Sequence, residues 1–315
     1  MRAAIVSAVL CAASSAAASP AVTTIKLFDP TRGETPESLN FDHRGNIIVS
    51  LALTGEVRRI APDGREATLA HLPLAPSVPC NNAFGVAIMG GVALDPHDNV
   101  FVSVAPCDPT AIGIYRIDAD THAVSKVAAL PPDALPNGIA YRAGQLYVAD
   151  TNLGQVWRIA ADGSSTEVWT NDPLLAPLPD FFPGPNGLQI FHDEVYVSVS
   201  DRAHVLAFPI RADGSAGPAR VHATGVGLDD FAFDVHGDLY GTTDPFNTLV
   251  RVSPAGAIDV LLTALDGLDG PTSCAFGVRG DNQALYLNNA AFPFFSLTHR
   301  PSIMRVDIGV PGHPR

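Results

Sequence analysis

Glu37, Asn137, Asn186 and the Asp229-Asp230 pair share a setting. Each stands directly before an apolar stretch, in the lead-in segments Thr35-Pro-Glu37-Ser, Leu135-Pro-Asn137-Gly, Gly184-Pro-Asn186-Gly and Gly227-Leu-Asp229-Asp230. Met89-Gly-Gly91 and Gly270-Pro-Thr272-Ser hold the same relative place without a carboxylate or carboxamide. Carboxylates and carboxamides are hard oxygen donors, and with no His or Cys among them they suit Ca2+, or another oxygen-preferring divalent metal, better than Zn2+. Asp229 and Asp230 sharpen the point, because adjacent carboxylates between Leu228 and Phe231 repel each other unless a cation or a donor offsets them. Singly, each residue has a plain reading: Pro-Asn-Gly is a turn signal, and a loop glutamate is ordinarily solvated. Chemistry requires that side chains spread from position 37 to position 230 be gathered in one place.

A repeat does the gathering. An apolar stretch, a polar turn and a short alternating strand recur six times, as in Leu39-Asn-Phe-Asp-His-Arg-Gly-Asn-Ile-Ile-Val-Ser50 and Phe231-Ala-Phe-Asp-Val-His-Gly-Asp-Leu-Tyr-Gly-Thr242. The residue anchoring the second strand of each copy is Ile48, Phe101, Tyr147, Tyr196, Tyr240 or Tyr286, at spacings of 44 to 53. Further strands follow, such as Val57-Arg-Arg-Ile60 and Val156-Trp-Arg-Ile159, then turn signals such as Asp63-Gly64 and a last alternating strand. No long segment has helical periodicity. Four short strands per unit are the content of one propeller blade, so the chain is expected to be all-β: a six-bladed β-propeller with four-stranded blades.

The ring must also close. The last repeat runs out after Val306-Asp307 without its outermost strand, while Val22-Thr-Thr-Ile-Lys-Leu-Phe28 is a strand with no blade of its own. The N-terminal strand is therefore expected to close the last blade, covering an edge that would otherwise template aggregation. In such a ring the innermost strands line a channel, and the six lead-in segments meet at one mouth.

Composition narrows the partners. Of 315 residues 47% are hydrophobic and 16% charged, which excludes a disordered chain. The formal charge of −13 argues against nucleic acid or an anionic membrane, both of which need clustered Lys and Arg, and favours a cation with a neutral small-molecule substrate. Residues 1–18, with Arg2 before an apolar run and small residues ending at Ala18, read as a signal peptide, so the product is expected to be secreted or periplasmic, with residues 19–315 as a single soluble propeller domain not inserted in a membrane. Export permits a Cys80–Cys107 disulfide, and Cys274 reads as a buried small apolar residue. His43, His97, His192 and His236 fall in first-to-second-strand turns, away from the mouth. His299, after the aromatic run of the sixth repeat, is the one histidine to watch as an acid or base. Signatures of serine hydrolases, zinc proteases and phosphate loops are missing.

With these motifs the chain resembles, over essentially the whole mature length, the senescence marker protein/gluconolactonase/luciferin-regenerating-enzyme family of six-bladed propellers, relatives of paraoxonases, Drp-type lactonases and strictosidine-synthase-like proteins. The resemblance implies that Glu37, Asn186 and Asp229 hold the metal, that Asn137 lies beside substrate, and that Asp229 also acts as general base. Asp230 is expected to support the group from behind. Together these imply a Ca2+-dependent hydrolase of a lactone or related ester.

Two departures bear on substrate. Where the family's sugar-lactone hydrolases place an Arg before the third-blade Asn and an Asp after it, this chain has Leu135 and Gly138, so Leu135 replaces a polar clamp with an apolar contact. The runs Pro173-Leu-Leu-Ala-Pro-Leu-Pro-Asp-Phe-Phe-Pro183 and Ala291-Phe-Pro-Phe-Phe-Ser-Leu297 serve either as packing or as a lid; as a lid they indicate a substrate less polar than a sugar. A strictosidine-synthase-like or cyclase activity, and a noncatalytic binding module with a structural metal, are the alternative readings.

Overall fold

In the computed structural model, which describes residues 20–74, 80, 85–179, 183–296 and 298–314, six four-stranded antiparallel sheets form the blades of a six-bladed β-propeller. The leader expected at residues 1–18 lies outside the described residues. The innermost strands are Pro36–Phe41, Ile88–Leu94, Pro136–Arg142, Pro185–Phe191, Phe231–Phe233 and Pro271–Phe276. The outermost strand of blade six is Val22–Leu27, which pairs with Ser302–Asp307 as Val22 opposite Val306 and Leu27 opposite Ser302, the closure expected from the repeat pattern.

The anchor residues explain why the ring holds together. Six apolar clusters each join one blade to the next, and each anchor belongs to the cluster facing the following blade: Ile48 packs towards blade two, Phe101 towards three, Tyr147 towards four, Tyr196 towards five and Tyr240 towards six. Tyr286 completes the circuit against blade one, where its ring lies 4.9 Å from that of Phe41 at 76°. A large apolar wedge, aromatic in five of the six, recurs once per blade because each sheet buries a face only against its neighbour; each large apolar side chain so buried contributes roughly 1.5–3 kcal/mol.

The turns at the far end from the mouth are built by aspartates. Asp42 Oδ1 accepts from the amides of Arg44 and Asn46, Asp95 Oδ1 from those of His97 and Asn99, and Asp234 Oδ1 from those of His236 and Asp238. His43, His97 and His236 are accordingly turn residues. The disulfide that export permits is formed: Cys80 and Cys107 have Cα atoms 4.5 Å apart, and Cys274 is free and buried.

Candidate metal centre at the channel mouth

Each lead-in segment is a defect in its sheet. The pairing register of the innermost strand shifts between Pro36 and Ser38, Met89 and Val92, Pro136 and Ile139, Pro185 and Leu188, and Pro271 and Cys274. In blade five the paired strand begins only at Phe231, just after Asp229-Asp230. A bulge releases residues from the ladder and re-aims their side chains, and Glu37, Asn137, Asn186, Asp229 and Asp230 are the residues released. The freed backbone groups are taken up by hydroxyls of the neighbouring strand. Ser198 Oγ accepts from the Gly187 amide at 2.8 Å and donates to the Asp229 carbonyl at 3.1 Å, while Ser50 Oγ donates to the Gly90 carbonyl at 3.0 Å.

Glycine follows both asparagines for a reason other than a turn. A Cβ on Gly138 would stand 2.4 Å from the Asn186 carbonyl oxygen, and one on Gly187 would stand 2.4 Å from that of Asp229. Both are distances that packed atoms do not tolerate, so the missing side chain lets successive innermost strands touch around the axis.

The five residues converge on one small axial cavity, with Thr272 and Ser273 closing it from blade six. About 10 Å³ of it admits a water-sized sphere, the room one water needs. The Asn137 Nδ2 donates to Asn186 Oδ1, and Asn186 Nδ2 donates to Ser200 Oγ at 3.3 Å. Asp230 is fully engaged: Oδ1 accepts from the Phe231 amide at 2.8 Å and Gln189 Nε2 at 3.4 Å, and Oδ2 from Ser273 Oγ at 3.5 Å.

Glu37 differs from its neighbours. It is 6% exposed, and its buried Oε2 has no hydrogen-bond partner. Three residues earlier, burial pushes the Glu34 carboxyl up, but the Arg58 hydrogen bond at 3.0 Å, the Asp29 amide and the charges of Arg58 and Arg32 together outweigh this and hold it below the usual carboxylate range. Glu37 has no such cation. Burial, then the charges of Asp244 and Asp230, push its carboxyl well above the usual range. Asp229 is raised likewise by burial and by Glu37, Asp244 and Asp230. Burial pushes Asp230 up to about 7, and burial with the Asp269 charge takes Asp244 to about 6.

Carboxylates massed in a small cavity whose lining, among the described residues, has no Lys or Arg fit a divalent cation: Glu37, with its orphaned Oε2, lines a void with room for one water-sized sphere. Among the described residues no three His, Cys, Asp or Glu side chains form a cage by themselves, so an ion here depends on a carboxamide oxygen, that of Asn186, beside Glu37 and Asp229.

Asp244 and Asn288 were not singled out by the sequence patterns, since they lie at the second strands of blades five and six and not in lead-in segments. The signal available was positional. At the place two after each anchor the chain has Ser50, Ser103, Ala149, Ser198, Thr242 and Asn288, and only the last is a carboxamide.

Leu135 does not line the axial cavity. It is buried at the mouth in one apolar cluster with Ala52, Ile88, Ala105, Ala290 and Phe292, which joins blades one, two and three to the aromatic loop of blade six. That loop is moored by Asp269, whose Oδ2 accepts from Ser296 Oγ at 2.8 Å and from the Arg300 amide at 3.2 Å. Phe294 and Phe295 of the same loop are exposed, as is His299. Leu297, and Asp180 to Phe182 of the other apolar run, lie outside the described residues. A larger groove lies between blades two and three, at the far end, where Asn99 Oδ1 accepts from Arg116 Nη2 at 2.7 Å.

No family model and no curated protein matches this chain. Solved structures match its fold. They include luciferin-regenerating enzyme (TM-score 0.67, 17% identity, 93% of this chain and 97% of that one). A gluconolactonase from Xanthomonas campestris matches at TM-score 0.62 and 16% identity, over 89% and 87%. Regucalcin from Agrobacterium tumefaciens, a calcium-binding protein, matches at TM-score 0.64 and 17% identity, over 90% and 92%. The likeness is one of architecture, and it falls on the same group of propellers that the lead-in motifs resemble.

Proposed function

We propose that this protein is a divalent-cation-dependent hydrolase of a lactone or related ester, acting outside the cytoplasm on a substrate less polar than a sugar lactone. The observation that carries the reading is the orphaned, buried Glu37 Oε2 in one cavity with Asp229 and Asn186, with no basic side chain in the lining among the described residues. The gluconolactonase and regucalcin folds support the choice of reaction and ion. The Cys80–Cys107 disulfide supports an oxidising compartment.

Glu37, Asn186 and Asp229 are the residues to hold the cation, of which Ca2+ suits the donors best. A bound Ca2+ supplies Lewis-acid polarisation of a carbonyl oxygen, several kcal/mol in typical metal-assisted hydrolysis. Asn137 orients the substrate from blade three, its carboxamide already fixed by Asn186. Asp229 takes a proton from the attacking water as the water oxygen bonds to the carbonyl carbon and the C=O π pair moves onto oxygen. The pair then returns, the ring C–O bond breaks, and the proton passes from Asp229 to the departing alkoxide, giving the hydroxy acid. Asp230, tied to Phe231, Gln189 and Ser273, fixes the backbone from which Asp229 projects. Phe294 and Phe295, exposed on the blade-six loop that Leu135 and Phe292 anchor from below, make the adjacent rim apolar, which favours an alkyl or aryl lactone over a polyhydroxylated one.

The test is hydrolysis of a panel of alkyl, aryl and sugar lactones with and without chelator. Chelator-sensitive turnover that prefers apolar lactones is the expected outcome. Chelator-sensitive melting with no turnover on any of them overturns the enzyme reading and leaves a binding or cyclising propeller with a structural cation.

A further inference from the structure

Of the eight buried side-chain polar atoms that lack a hydrogen-bond partner among the described residues, four belong to three residues: Glu37 Oε2, Asp244 Oδ1, and both Nδ2 and Oδ1 of Asn288. Their positions in the ring put them on the same side of the axis. Asp244 follows the second strand of blade five, Leu239–Thr243, in a loop pinned to blade six where the Gly270 amide donates to Asn247 Oδ1 at 2.6 Å. A Cβ on Gly270 would stand 3.3 Å from Asp244 Oδ1, so that oxygen abuts the lead-in to Thr272 and Ser273, which line the axial cavity.

Asn288 holds, in blade six, the place of Ser50 in blade one and Ser198 in blade four. Those hydroxyls reach the lead-in backbone of the following blade, at Gly90 and Asp229 respectively. The blade following six is blade one, and its lead-in residue is Glu37. There the Glu37 carbonyl is already taken by Thr272 Oγ1 at 2.7 Å, and the Asn288 carboxamide, 0% exposed, is left with neither donor nor acceptor satisfied. A buried carboxamide with two unmet groups is stable only with something polar to pair with them. Asp244 adds charge to the same place: Glu37 and Asp229 both feel it more strongly than they feel Asp230.

We propose that Asp244 and Asn288 form an outer arc of the cation site, gripping the water ligands on the side of the ion away from Asn186. This rests on the cation-binding part of the functional reading above, and not on the reaction. Glu37, Asn186 and Asp229 leave a hard cation of six to eight ligands well short of its number. An arc of one carboxylate and one carboxamide completes the shell through water and makes the site selective for an ion that keeps part of its hydration.

Calcium binding to the full mature chain by titration calorimetry, with melting of the metal-free protein alongside, tests this. Asp244→Asn is expected to weaken Ca2+ binding about ten- to a hundredfold, while the metal-free protein melts at or above the wild-type temperature because a repelling charge is gone. Asn288→Ala is expected to weaken Ca2+ binding in the same direction. Wild-type affinity in Asp244→Asn overturns the proposal, as does failure of that variant to fold, since the charge would then be structural. If the wild-type chain binds Ca2+ tightly, loses it on Asp244→Asn, and hydrolyses no lactone, the proposed reaction fails and the arc stands. If the wild-type chain binds no divalent cation, both fall.

Discussion

Gly187 lies against Asp229: its amide donates to the Asp229 carbonyl at 2.7 Å, and a Cβ on it would meet that same oxygen at 2.4 Å. The smallest residue of blade four thus sets where the principal carboxylate of blade five stands. Gly187→Ala must push the two lead-in segments apart. Overpacking of this kind costs about 1–3 kcal/mol, and the displacement falls on Asp229 and Asp230 directly. Calorimetry should show the variant folded, with weaker Ca2+ binding than wild type; unchanged binding would mean the contact is only structural.

Asp229→Asn keeps the shape of the site and removes its base. Turnover of the preferred lactone should fall by about 10²–10⁴-fold, with the melting temperature of the metal-free protein unchanged or raised. Retention of wild-type turnover would exclude Asp229 from the reaction.

The metal-free site makes stability depend on pH. In the unfolded chain Asp230 and Asp244 lose their protons near the ordinary value of 3.8, whereas in the folded protein burial keeps them protonated up to about 7 and about 6. Between those limits the native state binds more protons than the unfolded one, so the contribution of these two groups to stability is fully present below about pH 4 and is lost as pH rises towards 7. Melting in the presence of chelator should trace that fall, and saturating Ca2+ should reverse it most strongly at the high end, releasing protons as it binds. A chelated melting curve that rises over this window would contradict the burial of these carboxyls.

Reduction of the Cys80–Cys107 bridge, which joins residues 27 apart, should lower stability by roughly 3–4 kcal/mol through the freed loop. Neither cysteine lines the axial cavity, so Cys80→Ser with Cys107→Ser should leave Ca2+ affinity within about twofold while lowering the melting temperature.

Much of the architecture was legible because a propeller repeats its physics. Tyr147, Tyr196 and Tyr240 recur since each wedges into the next blade, and the orphan strand at Val22–Leu27 matched a deficit after Asp307. Glu37, Asn137, Asn186 and Asp229 were legible as members of one register, and the structure does bring them to one cavity. Two things were not. Gly138 and Gly187 read as turn residues because a clash with a strand from another blade leaves no local trace. Asp244 and Asn288 escaped notice because their importance lies in having no partner, which a string of residues cannot display. Leu135, which the sequence offers as an apolar substitute for a polar clamp, is buried with Phe292, and burial of that kind depends on a loop from blade six that no local pattern announces.

The six apolar seams run in a circuit with no first and no last member. A stacked array frays from its terminal units, but a wheel has none, so no blade can loosen without lengthening the whole circumference. Each side chain of the mouth is mounted on a different spoke. Its spacing from the others is therefore a property of the rim as a whole, and a pull at the hub is borne by all six blades together.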